Sequence, residues 1–132
     1  MSSKNGKKVL VIDDDDKIRK MLTFLFLAKG FNVGSAENGL EALKVAEDLV
    51  PDVIIVDLMM PVMDGFEFCK RIREKPTFKQ IPLIVLSALT ASEYREKIGP
   101  LDVYACIEKP FRSADIVQKA EEALVSVISG SA

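Results

Sequence analysis

The sequence predicts an α/β fold in which one parallel β-sheet carries helices on both faces. Five short apolar runs alternate with segments whose apolar residues recur at helical spacing. The apolar runs are nearly continuous, as expected for strands that are covered on both faces. Such alternation favours right-handed crossovers within a doubly wound (βα)5 sheet, and a length of 132 residues suits a single domain.

The first half of the chain predicts two strand–helix units and a third strand. An apolar run predicts a strand at 8–12, and helical spacing with a glycine after it predicts a helix at 15–29. Small residues at 31–36 predict a weaker strand at a sheet edge. A helix is expected to begin at Asn38 and to end before the next proline, and the apolar run at 53–56 predicts the third strand.

The second half continues the alternation after a loop that contains proline and glycine. Helical spacing predicts a helix at 66–75, and a strand with a proline near its start is predicted at 81–86. A shorter and weaker helix is predicted at 91–98, followed by a strand at 103–107. Ser113 is expected to cap a final amphipathic helix.

Composition excludes several classes of protein. The net charge of −2 gives no overall attraction to nucleic acid or anionic membranes, and no apolar run reaches membrane-spanning length. The chain has no histidine, which removes imidazole bases and histidine metal sites. Cys69 and Cys106 form no CxxC pair, so we expect reduced, buried thiols in a cytoplasmic protein. The predicted organisation is a domain at 7–128 between flexible ends at 1–6 and 129–132.

Polar side chains with related chemistry follow four of the predicted strands. Asp13 and Asp14 come directly after the first strand, and Asp57 comes after the third. Ser87 follows the fourth strand and Lys109 follows the fifth. In open α/β sheets the carboxyl ends of the strands form the ligand-binding edge, so we expect these groups to lie together.

Three carboxylates without histidine or paired cysteines suit a hard cation such as Mg²⁺ or Mn²⁺. A cation would also offset the repulsion within the run of aspartates. An aspartate can act as the nucleophile in phosphoryl transfer, with an ammonium and a hydroxyl to contact the phosphoryl oxygens. Each residue has a structural alternative: an aspartate before a helix is often an N-cap, which we expect of Asp15 or Asp16, and a lone Ser87 would most often cap a helix.

Four motifs together resemble the receiver domain of response regulators, the phospho-accepting half of two-component signalling, and are similar to the chemotaxis response regulator. They are VLVIDDD, VIIVDLMMPVMDG, PLIVLSA and KPF, and they extend from about residue 7 to residue 128. The resemblance implies a flavodoxin-like sheet with strand order 2-1-3-4-5, an order of which the chemotaxis response regulator is an established example. It also implies a signalling switch with its own autophosphorylation and autodephosphorylation activity, rather than a turnover enzyme.

The resemblance assigns a role to each residue of the strand-end group. Asp57 is the implied phosphorylation site, Ser87 the switch hydroxyl and Lys109 the phosphate-binding lysine. The implied ligands of Mg²⁺ or Mn²⁺ are Asp13, Asp14, Asp57 and the backbone carbonyl of Met59, with Asp14 the more direct of the first two. The implied phosphoryl donor is a histidine kinase or a histidine phosphotransfer protein, and a cis peptide is implied between Lys109 and Pro110.

One position departs from the family pattern. Receivers usually carry an aromatic residue three positions before the lysine, and here that position is Cys106. Tyr104 lies two residues earlier, on the same strand face if the strand begins at 103. The usual aromatic link between Ser87 and the surface is therefore altered. By analogy, the surface that contacts an output protein or domain comprises the helix at 91–98, the strand at 103–107 and the last helix.

Two other functions compete with the signalling switch. A phosphatase or phosphotransferase of the haloacid-dehalogenase type would need a second acid two residues after the nucleophile, and Met59 occupies that place. A degenerate receiver that only binds partners would not need the full acidic set. The identity of the kinase and the output, the oligomeric state, and whether the chain acts alone or within a longer regulator or hybrid kinase stay open.

Overall fold

The computed structural model describes residues 6–87, 96 and 99–130, with side chains up to residue 125. Five strands and four α-helices are present in this part of the chain. Their bounds are β1 Lys8–Ile12, α1 Asp16–Ala28, β2 Asn32–Ala36, α2 Gly39–Leu49, β3 Val53–Asp57, α3 Gly65–Glu74, β4 Leu83–Ser87, β5 Ala105–Glu108 and α4 Ser113–Gly130. Short 3₁₀ turns lie at Pro76–Phe78 and Gly99–Leu101. The predicted helix at 91–98 falls, apart from residue 96, outside the described residues.

The strands form one parallel sheet in the order β2-β1-β3-β4-β5. Strand β1 lies between β2 and β3, so that Leu10 pairs with Gly34 on one side and with Ile54 on the other. This confirms the predicted doubly wound sheet and its 2-1-3-4-5 order. Because all five strands are parallel, their carboxyl ends meet along a single edge.

Each face of the sheet is covered by two of the described helices. Leu10 and Ile12 of β1 contribute to one core, whereas Val9 and Val11 contribute to the other, as the alternation of side chains in a strand requires. The first core includes residues of α2 and α3, and the second includes residues of α1 and α4. Strands buried on both faces explain the continuous apolar runs in the sequence.

Several element boundaries differ from the predictions for local reasons. The fourth strand begins at Leu83 because Pro82, which has no N–H, contributes to the sheet only through its carbonyl, to which Ile54 N donates. The last strand begins at Ala105 rather than 103, since Asp102 has a left-handed φ of 53° that interrupts the extended chain.

The helix ends show one confirmed cap and one correction. Asp15 caps α1, and its side chain accepts hydrogen bonds from the N–H groups of Lys17 and Ile18. Ser113, the predicted cap of α4, is instead the first residue of that helix, and its hydroxyl donates to the sulfur of Met21. Helix α4 continues to Gly130, two residues past residue 128. In the described part of the chain, no helix is long and apolar enough to cross a bilayer.

Candidate functional site

The strand-end residues predicted from the sequence lie at one edge of the sheet. Asp13 follows β1, and its N–H donates to the carbonyl of Ala36 at the end of β2, at 3.1 Å. Asp57 ends β3 and is in register with Leu86, so Ser87 lies one residue further along the neighbouring strand. The parallel register therefore brings Asp13, Asp57 and Ser87 to the same depth of the sheet.

Three carboxylates form a cluster there. Asp13, Asp14 and Asp57 each present an oxygen, and these oxygens all lie within 4.8 Å of one another. Asp13 is fully buried and Asp57 is 2% exposed, whereas Asp14 is exposed. Like charges this close resist joint ionisation, so positive charge near the cluster is needed to offset their repulsion.

The hydrogen bonds of Asp13 leave one of its oxygens without a donor. Oδ1 accepts from the N–H of Asp15 at 2.9 Å, and the main-chain carbonyl accepts from Arg19 Nη1 at 2.8 Å. Oδ2 is buried and has no hydrogen-bond partner among the described residues. Burial, opposed in part by the Asp15 hydrogen bond, raises the pKa of the Asp13 carboxyl from 3.8 to about 6. A buried carboxylate oxygen that accepts no hydrogen bond is a ligand that a hard cation prefers.

Asp57 is held by a neighbour on each of its oxygens. Met59 N donates to Oδ1 at 3.2 Å, and Lys109 Nζ lies 3.4 Å from Oδ2. Burial raises the pKa of Asp57 above its usual value, and the nearby Lys109 ammonium partly opposes that shift. The ammonium is therefore the resident positive charge of the site.

Lys109 and Ser87 are brought together through the backbone. The N–H of Lys109 donates to the carbonyl of Ser87 at 2.8 Å, and Ser87 is 1% exposed. The peptide bond from Lys109 to Pro110 is cis, as the resemblance implied. Glu108, the neighbour of Lys109, is exposed.

The segment 58–64, here called the β3–α3 loop, forms the open side of the site. A cavity beside the carboxylates is lined by Asp14, Met59, Met60, Pro61 and Asp64. The Met59 side chain is 60% exposed. It has no carboxyl group and so cannot act as the second acid that a phosphatase of the haloacid-dehalogenase type needs at this position.

Gly65, the last residue of the VIIVDLMMPVMDG motif, has a structural role that the sequence analysis does not assign. A Cβ at this position would lie 2.4 Å from the carbonyl oxygen of Asp57 and 2.7 Å from Leu58 Cα. Only glycine therefore allows α3 to begin against the end of β3. The signal is present in the sequence as the Asp-Gly pair that ends the proline-containing loop.

Comparison with known proteins decides the family. A family model described as the response regulator receiver domain matches residues 9–121, which is most of the chain. The chain belongs to the response regulator receiver family. Members of this family accept phosphoryl groups in two-component signalling, and the predicted resemblance and signalling role are thereby confirmed.

Individual relatives agree with this assignment. The receiver is 33% identical over 130 residues to the alkaline phosphatase synthesis transcriptional regulatory protein PhoP of Bacillus subtilis, covering 89% of this chain and 53% of that protein. Its fold matches the chemotaxis response regulator CheY4 of Vibrio cholerae with a TM-score of 0.84 and 33% identity, over 91% of this chain and 100% of that one.

A further fold neighbour is the receiver domain of the sensor histidine kinase PA1611 from Pseudomonas aeruginosa, a structure with a magnesium ion in its active-site cleft. Its TM-score is 0.82 and its identity 24%, over 92% of this receiver and 99% of that chain, a likeness of fold. The receiver spans about half the length of the curated relatives PhoP and ResD.

Cys106 lies on β5 at the position where receivers usually carry an aromatic residue. Cys106 is half-buried, pairs with Val85 and packs against the core under α2 and α3. Tyr104 precedes β5, donates its N–H to Leu83 and lines a cavity with Arg73. That places Tyr104 about four residues, or about 13 Å, along the sheet from Ser87. Cys106 is the closer of the two to Ser87.

Proposed function

We propose that Asp57 is the phosphoryl acceptor of this receiver and that Asp13, Asp14 and the carbonyl of Met59 join it in binding Mg²⁺ or Mn²⁺. The observation that carries the proposal is the buried carboxylate cluster with Lys109 Nζ 3.4 Å from Asp57 Oδ2. A nucleophile, a cation-binding set and a fixed positive charge are the components that phosphoryl transfer requires.

The residues of the chain have separate tasks in this reaction. A carboxylate oxygen of Asp57 attacks the phosphorus of a phosphohistidine or acetyl phosphate; the new O–P bond forms as the bond to the donor breaks, and the donor keeps that electron pair. Lys109 supports the negative phosphoryl oxygens, and Ser87 supplies the hydroxyl that contacts the phosphoryl group of the modified state. The site excludes bulk water at Asp57, which is 2% exposed.

The cation supplies charge neutralisation for the carboxylates and the phosphoryl oxygens when it is bound. The site fits a hard cation for two reasons. All of its candidate ligand atoms are oxygens, and the buried Asp13 Oδ2 accepts no hydrogen bond from the described residues. This ligand set requires the backbone of the β3–α3 loop to present the Met59 carbonyl toward Asp14. Met59 and Asp14 line the same cavity.

We further propose a cytoplasmic setting, a histidine kinase or histidine phosphotransfer protein as the donor, and an output protein or domain as the target. Both cysteines are without disulfides, and Cys69 is fully buried, consistent with a reducing compartment. Phosphorylation would shift the population toward a conformation in which the surface near β5 and α4 contacts the target.

Intact mass after incubation with acetyl phosphate tests the proposal. We expect the wild type to gain one phosphoryl group in a Mg²⁺-dependent manner, and the Asp57→Asn variant to gain none. The matched control is Asp52→Asn at the opposite edge of the sheet, where the side chain accepts from Lys8 N and an amide oxygen can do the same. Absence of any gain in the wild type, or equal gain in Asp57→Asn, would refute the assignment of Asp57.

A further inference from the structure

Helix α2 contacts the β3–α3 loop at its first residue, Gly39. The N–H of Gly39 donates to the carbonyl of Met63 at 2.9 Å. A Cβ at Gly39 would lie 2.7 Å from that carbonyl oxygen and 2.7 Å from Met63 Cγ. Gly39 is not among the glycines with left-handed backbone, so its distinctive property is this close approach.

A tight turn transmits the position of Met63 to the part of the loop that faces the site. Met63 N donates to the carbonyl of Pro61 at 2.8 Å across Val62, which has a left-handed φ of 69°. A three-residue turn of this kind leaves little freedom between its ends. A displacement of Met63 is therefore passed to Pro61, which lines the cavity together with Met59.

The other end of the loop is also fixed. Gly65 N donates to the carbonyl of Leu58 at 3.0 Å, and Gly65 lies against the main chain of Asp57. The loop is thus held between one glycine contact at Asp57 and a second at Met63. A side chain added at Gly39 would therefore displace the segment of the β3–α3 loop between these two contacts.

We propose that Gly39 is a positioning residue for cation binding, acting through Met63 and the β3–α3 loop. This inference rests on the proposed function, in which the Met59 carbonyl is a ligand. An alanine at position 39 would require Met63 to move by about 0.7 Å to reach the 3.4 Å at which ordinary contact begins. Mg²⁺ binds oxygen ligands within a narrow range of distances, so a shift of this size at the loop weakens binding.

The test is the Mg²⁺ dissociation constant of Gly39→Ala, measured by isothermal titration calorimetry, beside its urea unfolding free energy. The matched control is Gly34→Ala, whose Cβ would lie 2.8 Å from Leu49 Cδ2 and 3.1 Å from Val45 Cγ1, both side-chain atoms of the same helix. We expect Gly39→Ala to bind Mg²⁺ at least about tenfold more weakly, as supporting residues of metal sites do when altered, and Gly34→Ala to lose stability with its affinity within about twofold of wild type.

Each outcome decides a separate question. Equal Mg²⁺ affinity in Gly39→Ala and wild type would overturn the inference and leave the proposed function intact, whereas a wild type that binds no Mg²⁺ would refute the proposed function itself. Equal weakening in Gly34→Ala would show a general packing effect and also overturn the inference. If Gly39→Ala does not fold, Gly39→Ala/Met63→Ala removes the Cγ contact and keeps the carbonyl contact, so its affinity must still fall.

Discussion

Replacement of Asp13 by asparagine is expected to stabilise the receiver when no divalent cation is bound. The Asp13 carboxyl is fully buried, and burial raises its pKa from 3.8 to about 6. One pKa unit corresponds to about 1.4 kcal/mol of preference between the two protonation states. Keeping Asp13 ionised therefore costs the folded protein about 3 kcal/mol at pH 7, a cost that an amide does not incur.

The pH dependence has a definite sign. The folded state holds the Asp13 proton more tightly than the unfolded chain does, so the contribution of this group to the unfolding free energy falls as pH rises from about 4 to about 6. Above that range the full cost is present. The stability difference between Asp13→Asn and wild type should thus be about 3 kcal/mol at pH 7 and approach zero near pH 4.

Urea unfolding followed by circular dichroism in EDTA, from pH 4 to pH 8, measures this difference. The asparagine can keep the hydrogen bond from Asp15 N, because Oδ1 is preserved in the amide. The matched control is Asp14→Asn, an exposed neighbour in the same cluster, which should change the unfolding free energy by less than about 1 kcal/mol. An Asp13→Asn variant no more stable than wild type at pH 7, or a gain that persists undiminished at pH 4, would refute the reasoning.

Added Mg²⁺ should reverse much of the effect. A ligand that binds only the folded state raises the unfolding free energy in proportion to the logarithm of its concentration above the dissociation constant. Wild type has the buried Asp13 oxygen to offer the cation, whereas the amide variant lacks that charge. We therefore expect Mg²⁺ to stabilise wild type more than Asp13→Asn, and an equal response of both proteins would exclude Asp13 as a participant in binding.

Three further predictions concern other parts of the fold. Val62→Gly should raise the unfolding free energy by about 1 kcal/mol in urea titrations, because glycine adopts the left-handed backbone at this position without the steric cost of a β-branched side chain. The valine side chain is 78% exposed, so its removal loses little packing, and a loss of stability would contradict this prediction. In native protein at pH 8, a disulfide reagent should label Cys106 faster than Cys69, which should react only on unfolding because it is buried and burial raises its pKa to about 12; labelling of the native protein that survives Cys106→Ser would be the opposing result. Phe26→Ala should lower the unfolding free energy by about 3–5 kcal/mol, as expected for a fully buried ring with an edge-to-face aromatic neighbour; a loss below about 1 kcal/mol would show that the core re-forms around the cavity.

The strand ends were accessible from the sequence because their signals are local and their convergence follows from a topological rule. Continuous apolar runs identify buried parallel strands, and parallel strands end at a common edge. The sequence alone therefore predicts that Asp13, Asp57 and Ser87 lie at one edge of the sheet, and the register of β1, β3 and β4 confirms that placement. The family followed from the spacing of four motifs, which is a property of the chain alone.

Other features depend on contacts between residues far apart in the chain. The sequence could not show that Asp13 is fully buried while the adjacent Asp14 is exposed, because burial depends on which neighbours fold over each carboxylate. Nor could it show that Gly39 lies against Met63, since that approach exists only once α2 and the β3–α3 loop pack at the same edge of the sheet. Hydrophobic periodicity indicates which face of a helix or strand is buried. The free-energy cost of burying a charge, and the close approach of two segments, depend on atoms from distant parts of the chain.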